Sequence, residues 1–356
     1  MTGARALAAI DVGTNSVHMV VARPVPGGPP EVLARERVPV RLGAGGDDMK
    51  LLMPDAVERA VAALVEFRRT ADAHDADVVA VATSAVREAG NRGRFLRRVH
   101  DEARIEVEIV SGKEEARLIH LGAMNAVPIA GRPHIVIDIG GGSTELIVGD
   151  HAPAALARSL KLGHIRLTDR FFGGGVVAGG AVEACRRHIR STVAQAAGEA
   201  RDIGFDVAVG CSGTIAAVAA LCAARRGETS RTVADATVER SDLDEVVADL
   251  VSRPTPGDRA GVPGLDPARR DVIVAGAVLL RQLFEALGIE ALVVSTGALR
   301  EGLLLDRFDR RDRSRGDGLH PPREPPVLRS RPPESQEWGA ITDSPKAAMP
   351  SAVLRK

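Results

Sequence analysis

One twelve-residue pattern occurs twice in the sequence. Residues Ile10–Val21 read IDVGTNSVHMVV, and they align without a gap on Ile137–Val148, which read IDIGGGSTELIV. Each copy runs from an apolar stretch through an aspartate, Asp11 or Asp138, into a glycine-containing turn and a second apolar stretch. Two short apolar runs joined by such a turn are typical of a β-hairpin. The repeat therefore predicts two related halves that face one phosphate between them; the alternative is two unrelated hairpins with similar turns.

The turn of the second copy has the residue types of a phosphate-binding loop. Glycines Gly140–Gly142 let backbone N–H groups converge on an anion, because no Cβ atom stands in the way. Ser143 and Thr144 add hydroxyl donors. Asp138 and Glu145 offer the hard carboxylate oxygens that Mg²⁺ prefers, and such an ion would neutralise phosphate charge. The sequence therefore predicts a loop that binds phosphate together with a metal ion.

Composition limits the class of protein and its partners. The chain has 356 residues, 45% of them hydrophobic, which favours two domains. The 47 basic and 47 acidic residues cancel, so no overall charge points to nucleic acid or membrane. The three cysteines are an odd number without paired spacing, which suits a reducing compartment. With no leader or membrane segment apparent in the sequence, we expect a soluble cytoplasmic protein.

Segments with strand and helix character alternate along the chain. Pro54–Ala73 has apolar residues at helical spacing, and Asp77–Ala82 is apolar enough for a buried parallel strand. This alternation predicts an α/β fold with a mostly parallel sheet in each half. From about Asp309 the chain is rich in Arg, Pro and Ser, which predicts a disordered tail (309–356) that includes the single tryptophan, Trp338.

Two further segments carry candidate site residues. Arg87 follows a buried strand beside hydroxyl residues, where an arginine can bind phosphate, although a solvated arginine at a helix start fits equally well. Ser111 stands three residues before Glu114, as in a helix capping box. Since the cap does not need Glu115, this glutamate is the freer candidate for chemistry.

Several common chemistries lack their motifs in this sequence. There is no G-x-G-x-x-G after the first strand and no G-x-x-x-x-G-K-[ST], which disfavours dinucleotide and P-loop folds. No cysteine is followed by an arginine six residues later, and the nine histidines form no zinc-like cluster. Of the common chemistries, phosphoryl transfer remains. In this chemistry the protein positions the phosphate and a metal ion, and a carboxylate aligns the attacking water.

Eight motifs of the chain resemble those of the exopolyphosphatase / guanosine pentaphosphate phosphatase family, in a short form with two lobes. They are, in family order, IDVGTNS, TSAVREA, SGKEEARL, IDIGGGSTEL, SLKLGHIRLTDRF, GCSGT, LDPARRDVIVAGA and STGALREGL. The resemblance implies two actin-like (ribonuclease H-like) lobes of the acetate and sugar kinase–Hsp70–actin superfamily, with the active site between them. The expected lobes are 1–125 and 126–308, with a final helix at about 298–308 able to pack back on the first lobe.

The same resemblance implies roles for individual residues. Glu115 and Glu145 would be catalytic, with Glu115 as the base that orients water. Asp11, Asp138 and Glu145 would hold Mg²⁺. The phosphate-binding residues would be Gly13, Thr14, Asn15, Ser16, Arg87, Gly140, Gly141, Gly142, Ser143 and Thr144.

The resemblance also leaves alternatives for the substrate and the activity. The expected substrate is inorganic polyphosphate, and guanosine pentaphosphate is the alternative. A slow nucleotide-binding sensor or a kinase of the same superfamily would have the same fold, and a homodimer is compatible with the resemblance. Because a pure binder needs no carboxylate to orient water, Glu115 and Glu145 favour a hydrolase.

Overall fold

A computed structural model describes residues 5–25, 28–45, 48–228 and 236–314 as two β-sheets with helices packed around them. The first sheet has the order β3-β2-β1-β4-β5. Strand β1 pairs antiparallel with β2 and parallel with β4. The strands are β1 (Leu7–Val12), β2 (Ser16–Arg23), β3 (Glu31–Pro39), β4 (Asp77–Ala82) and β5 (Val107–Ile109).

The second sheet repeats this arrangement and has the order β10-β11-β9-β6-β7-β8. Its central strand β6 pairs antiparallel with β7 and parallel with β9, as β1 does with β2 and β4. An extra antiparallel strand, β10, lies at one edge. The strands are β6 (His134–Ile139), β7 (Thr144–Gly149), β8 (Leu156–Leu160), β9 (Val207–Cys211), β10 (Thr237–Glu239) and β11 (Ala291–Val294).

The matching strand orders confirm the predicted α/β class with two related ribonuclease H-like sheets. The expectation that each sheet is mostly parallel is wrong, because both sheets are mixed. The reason lies in the repeated hairpins, since a strand that returns after a tight turn must pair antiparallel with its predecessor.

Ten α-helices connect or cover these strands within the described ranges. The first, α1, coincides with the predicted helix, and its buried side chains include Val61, Leu64 and Phe67 at helical spacing. The helices are α1 (Pro54–Ala73), α2 (Ser84–Glu88), α3 (Arg92–Ala103), α4 (Gly112–Ala126), α5 (His164–Phe171), α6 (Ala181–Ile203), α7 (Ser212–Arg225), α8 (Arg240–Ser252), α9 (Ile273–Leu287) and α10 (Leu299–Ser314).

Helices α4 and α10 lie between the two sheets. One buried apolar cluster joins Leu7 of β1 and Val136 of β6 to Leu118 of α4 and Leu303 of α10. Each sheet also has its own apolar cluster on its other face. The two central helices therefore fix how far apart the sheets stand.

The final helix extends further than the sequence predicted. Helix α10 runs to Ser314, and the Arg311 guanidinium lies 2.5 Å from a carboxylate oxygen of Asp77. The helix therefore continues past the predicted start of the tail at about Asp309, and this ion pair lies beyond that position. The rest of the predicted tail, including Trp338, lies outside the described residues. The predicted lobe boundaries at residues 125 and 308 stay predictions.

The two central helices approach each other through glycines. A Cβ atom at Gly302 of α10 would stand 1.8 Å from the carbonyl oxygen of Leu118, and one at Gly122 of α4 would stand 2.1 Å from that of Ala298. Both obstacles are backbone atoms, which cannot move aside without shifting a helix. The backbones can therefore approach this closely only with glycine at these positions.

We expect Gly302→Ala to destabilise the protein by about 1–3 kcal/mol, because overpacking would force α10 away from α4. Gly198→Ala is the matched control, since Gly198 is also within a helix but a Cβ atom there would meet nothing within 4 Å. This control should stabilise the fold by about 0.5–1 kcal/mol. Denaturant unfolding measures both; equal stability of the two variants would show that the crossing tolerates a methyl group.

Candidate active site

Both repeated hairpins close in the same way. The Gly13 N–H donates to the carbonyl oxygen of Ser16 at 3.1 Å, and the Gly140 N–H donates to that of Ser143 at 2.9 Å. Each turn lies at the end of its sheet's central strand. These bonds confirm the hairpins that the sequence repeat predicts.

The two turns contact each other. A Cβ atom at Gly141 would lie 2.9 Å from the Cβ atom of Thr14 and 3.3 Å from the backbone nitrogen of Asn15. A Cβ atom at Gly142 would lie 2.5 Å from the Ser84 hydroxyl. The second turn therefore needs glycine so that the first turn can approach it closely. The fold thus brings the two repeated loops to one place, as the pattern predicted.

Four carboxylates lie beside these loops. Asp11 and Asp138 occupy equivalent positions in β1 and β6, and Glu145 pairs with Asp138 across β6 and β7. Glu115 reaches the other three carboxylates from the first turn of α4. At the start of this helix the Ser111 hydroxyl accepts a hydrogen bond from the Glu114 N–H, as the capping pattern predicted. Glu115, Asp138 and Glu145 are buried.

Burial raises the pKa of all four acidic groups, and repulsion from neighbouring carboxylates adds to the rise for Asp11, Asp138 and Glu145. The pKa of Asp11 and of Asp138 is raised to about 7, chiefly by burial, with the charge of Glu115 adding to the rise and the charge of Arg300 opposing it. Burial also raises the pKa of Glu145 well above its ordinary value, with the charges of Glu115 and Asp138 adding to it. Such a cluster is costly when all its members are charged, which suits a site that receives cations or phosphate-bound metal.

Arg87 holds Glu115. Its Nη1 atom donates to Oε2 of Glu115 at 2.8 Å and to the carbonyl oxygen of Val110 at 3.0 Å. Burial raises the pKa of Glu115, and the Arg87 charge opposes that rise. The structure thus places Arg87 at the candidate catalytic glutamate; its binding of phosphate stays a prediction.

The hydroxyl groups of the two loops have different surroundings. The Thr14 and Ser84 hydroxyls lie 2.8 Å apart in the interior, and Asn15 donates to the Ser16 hydroxyl at 3.4 Å. The Thr144 hydroxyl donates to the carbonyl oxygen of Leu162 at 2.7 Å, so its proton is not available to phosphate. Thr144 begins β7, and its contact with phosphate stays a prediction.

The carboxylates do not form a ready-made site with three metal ligands. Across the described ranges, no group of three or more His, Cys, Asp or Glu side chains is placed to hold a metal ion by itself. The predicted set of Asp11, Asp138 and Glu145 is thus incomplete as a cage, and Glu145 accepts a hydrogen bond from the Ser159 hydroxyl at 2.7 Å. Oδ1 of Asp11, however, is buried without a hydrogen-bond partner. Since Mg²⁺ usually takes one or two carboxylates together with waters and substrate oxygens, these residues fit that mode.

A cluster of cations beside the first loop was missed by sequence reasoning. Nη1 of Arg300 in α10 lies 2.5 Å from Nδ1 of His18. The pKa of His18 is lowered to about 2, chiefly by burial, and the charges of Arg300, Arg37 and Arg269 contribute to this fall. His18 is therefore neutral, and its Nδ1 atom can accept a hydrogen bond from Arg300. In the sequence, His18 occupies the position of Glu145 in the repeat, and Arg269 and Arg300 lie in the motifs LDPARRDVIVAGA and STGALREGL, but nothing there placed these arginines beside His18.

The buried carboxylates of the site make the free energy of unfolding decrease as pH rises. Asp11 and Asp138 have ordinary pKa values of 3.8, and burial raises both to about 7 in the folded protein. Between these values the folded state binds more protons than the unfolded state, so the free energy of unfolding decreases as pH rises. We expect the metal-free protein to lose stability from about pH 4 to about pH 7 through these two groups.

Thermal unfolding at pH 5 and pH 8, with and without Mg²⁺, tests this dependence. Because protons compete with the metal for carboxylates, added Mg²⁺ should raise Tm more at pH 8 than at pH 5. An increase in Tm on addition of Mg²⁺ that is equal at both pH values would count against the four carboxylates as the binding site.

Comparisons with known proteins agree with this geometry. A model of the Ppx/GppA phosphatase family matches residues 20–311. A protein of Haemophilus influenzae, whose name assigns it provisionally to the exopolyphosphatases, is 33% identical over 304 residues, which are 84% of this chain and 90% of that protein. Within the described residues, no helix has the length and apolar character needed to cross a membrane.

Solved structures give the same result. The crystal structure of an exopolyphosphatase from Cytophaga hutchinsonii has a TM-score of 0.79 and 28% identity, and the match covers 86% of this chain and 98% of that one. The structure of the Aquifex aeolicus PPX-GPPA enzyme has a TM-score of 0.68 and 26% identity, with 85% and 99% of the chains covered. The two-sheet arrangement is thus shared along almost the full length of these proteins.

Proposed function

The chain belongs to the Ppx/GppA phosphatase family, and from that premise we propose that it is an exopolyphosphatase. It would hydrolyse the terminal phosphoanhydride bond of inorganic polyphosphate and release orthophosphate. The observation that carries this proposal is the meeting of the two glycine loops beside Glu115. Thr14 contacts Gly141 there, and the buried Glu115 carboxylate is held by Arg87.

The loops supply the binding part of the reaction. The N–H groups of Gly13 and Gly140 close the two turns, and the other backbone N–H groups of the Gly13–Ser16 and Gly140–Ser143 turns hold the terminal phosphate from both sides. Asp11 and Asp138 would hold Mg²⁺, which when bound neutralises charge on the phosphate oxygens.

Glu115 supplies the base. The oxygen of a water molecule forms a bond to the terminal phosphorus, and the bond between this phosphorus and the bridging oxygen breaks. The electron pair of the broken bond stays on the shortened chain, and the Glu115 carboxylate takes a proton from the water. Arg87 fixes the direction of the carboxylate through its bond to Oε2. No covalent enzyme intermediate is needed.

The cations around His18 support a polyanionic substrate. Arg37, Arg269 and Arg300 come from three separate elements and all act on the same histidine. Polyphosphate carries a negative charge on every residue, so such a cluster would attract the part of the chain behind the cleaved bond. Guanosine pentaphosphate is also strongly anionic, and it remains the alternative substrate.

Phosphate release from three substrates tests the proposal. Long polyphosphate, tripolyphosphate and guanosine pentaphosphate should be compared at equal concentrations of terminal phosphate, with and without Mg²⁺. We expect the highest kcat/KM with long polyphosphate and little turnover after chelation. A preference for guanosine pentaphosphate would support the alternative activity. Binding of nucleotide without phosphate release would instead indicate the sensor of the same fold.

A further inference from the structure

Arg166 crosses from the second half of the chain to the first. It lies in α5, two residues after the start of this helix, and it is only 5% exposed. Its neighbour Ile165 is part of the apolar cluster of the first sheet, so the start of α5 is packed against the opposite half. Neither the repeat nor the candidate catalytic residues explain why an arginine is buried here.

The guanidinium of Arg166 binds the second glycine loop and the first half at the same time. Nε donates to the carbonyl oxygen of Gly142 at 2.9 Å. Nη2 donates to Oε1 of Glu88 at 2.8 Å, and Nη1 donates to the carbonyl oxygen of Asp48 at 3.2 Å and to its carboxylate. Only a planar fork with several fixed N–H groups can make these bonds together, so lysine is not equivalent here.

Glu88 connects this contact to the candidate base. It is the last residue of α2 and follows Arg87, which holds Glu115. A continuous set of contacts thus runs from the glycine loop through Arg166 and Glu88 to the helix that carries Arg87. A change in the position of Arg166 would move the phosphate loop relative to Glu115.

The first-half partners of Arg166 are held in an unfavourable backbone conformation. Asp48 and Met49 have φ values of 57° and 67°, in the left-handed region that favours glycine. The Met49 sulfur lies 3.4 Å from Nη2 of Arg166, and a Cβ atom at Gly142 would stand 2.6 Å from the same sulfur. Backbone strain of this kind persists only where surrounding contacts enforce it.

We propose that Arg166 is a positioning residue of the phosphatase reaction: it fastens the Gly140–Gly142 loop to the first half and thereby sets the distance from bound phosphate to Glu115. This inference rests on the proposed function. Arg166 itself contacts neither Glu115 nor the other carboxylates of the site in the structure, so it acts through Gly142 and Glu88. Its loss should disturb substrate binding as well as turnover.

A neutral variant is suitable as a test because Glu88 keeps a second partner. The Lys161 ammonium lies 2.8 Å from Oε2 of Glu88, so Arg166→Met does not leave Glu88 buried without a cation. Arg170→Met is the matched control, since Arg170 is in the same helix but contacts His188 and Phe171 on its exposed side. Both replacements remove one charge and keep a long apolar side chain.

Steady-state kinetics with long polyphosphate and Mg²⁺ give the first readout. For Arg166→Met we expect kcat/KM to fall about 10- to 100-fold with a raised KM, because a misplaced loop costs up to about 10² in rate. Arg170→Met should match the wild type. A purely structural role would only reduce the fraction of active enzyme and leave KM unchanged, so an unchanged KM in Arg166→Met overturns the proposal.

A double-mutant cycle with Glu88→Gln gives the second readout. If Arg166 acts through Glu88, the double variant should be little worse than Arg166→Met alone. Compared with Arg166→Met, the variant Arg166→Lys should regain most of the thermal stability of the wild type. Its KM should stay raised, because one ammonium cannot reach Gly142 and Glu88 together. Fully additive losses in kcat/KM, or complete rescue by lysine, would contradict the inference.

A distance measurement separates failure of this inference from failure of the proposed function. Spin labels on cysteines introduced at the exposed Glu66 of α1 and Arg187 of α6 span the two halves, and the three native cysteines are buried. With inorganic phosphate and Mg²⁺ present, wild type should give a narrow distance distribution and Arg166→Met a broader one. This readout needs no turnover. An unchanged distance distribution in Arg166→Met argues against the proposed positioning role of Arg166, even if the wild type proves inactive on every phosphate substrate.

Discussion

Replacement of Glu115 by glutamine is expected to lower kcat on polyphosphate by about 10²-fold or more, the scale of a general-base contribution. The amide keeps the size and the hydrogen bond to Arg87 but cannot take a proton from water. Because Glu115 binds no phosphate oxygen in the proposed mechanism, KM should change little. Phosphate release under saturating substrate and Mg²⁺ measures the effect.

The neighbouring glutamate gives a closely matched control. Glu114 is on the same helical turn, but its carboxylate pairs with Arg117 at 2.8 Å and lies partly exposed. Glu114→Gln should therefore retain nearly full activity. If Glu114→Gln is the impaired variant and Glu115→Gln turns over normally, the assignment of the base is wrong.

Replacement of Asp138 by asparagine is expected to change activity and stability in opposite directions. The variant loses an anionic ligand, so the Mg²⁺ concentration that gives half-maximal activity should rise about tenfold or more. The metal-free protein should become more stable at pH 8, because a group whose pKa is raised to about 7 costs free energy when it is charged in the fold. One pKa unit corresponds to about 1.4 kcal/mol, so the rise of the Asp138 pKa from 3.8 to about 7 corresponds to a gain of at most about 4 kcal/mol at pH 8.

Two titrations check this prediction. Activity against Mg²⁺ concentration gives the metal requirement, and denaturant unfolding in chelator at pH 5 and pH 8 gives the stability. The gain should be smaller at pH 5, where Asp138 is protonated in the folded wild type and only the unfolded chain carries the charge. Asp206→Asn, at an exposed aspartate just before β9, should change neither quantity. A metal-free Asp138→Asn protein that is less stable than wild type at pH 8 would refute the electrostatic argument.

Local sequence determined the parts of the site that depend on short-range geometry. The repeat predicted both hairpins, and the closing bonds at Gly13 and Gly140 confirm them. The capping pattern predicted the role of Ser111 and left Glu115 for other contacts, as the structure shows. Such features were predictable because turn chemistry, capping and apolar periodicity act over a few residues along the chain.

Contacts between distant segments could not be derived in this way. The Arg300–His18 contact joins residues 282 positions apart, and Arg166 reaches Asp48 over 118 positions. Arg166 and Arg300 both stand in motifs that resemble those of the family, but nothing in the local sequence shows which distant residues they contact. The partner of the Thr144 hydroxyl was unpredictable for a related reason, since it is the carbonyl group of Leu162 in another segment.

The sequence by itself determined that this protein has two related α/β halves, each with a glycine loop and an aspartate. It also singled out Glu115 as a glutamate that the helix cap does not need. Only the tertiary structure decided how these halves meet: α4 and α10 pack between the sheets through Gly122 and Gly302, and the Thr14 loop touches Gly141. The physical reason is that side-chain type and spacing fix local conformation, whereas the relative placement of two sheets follows from close packing of whole surfaces.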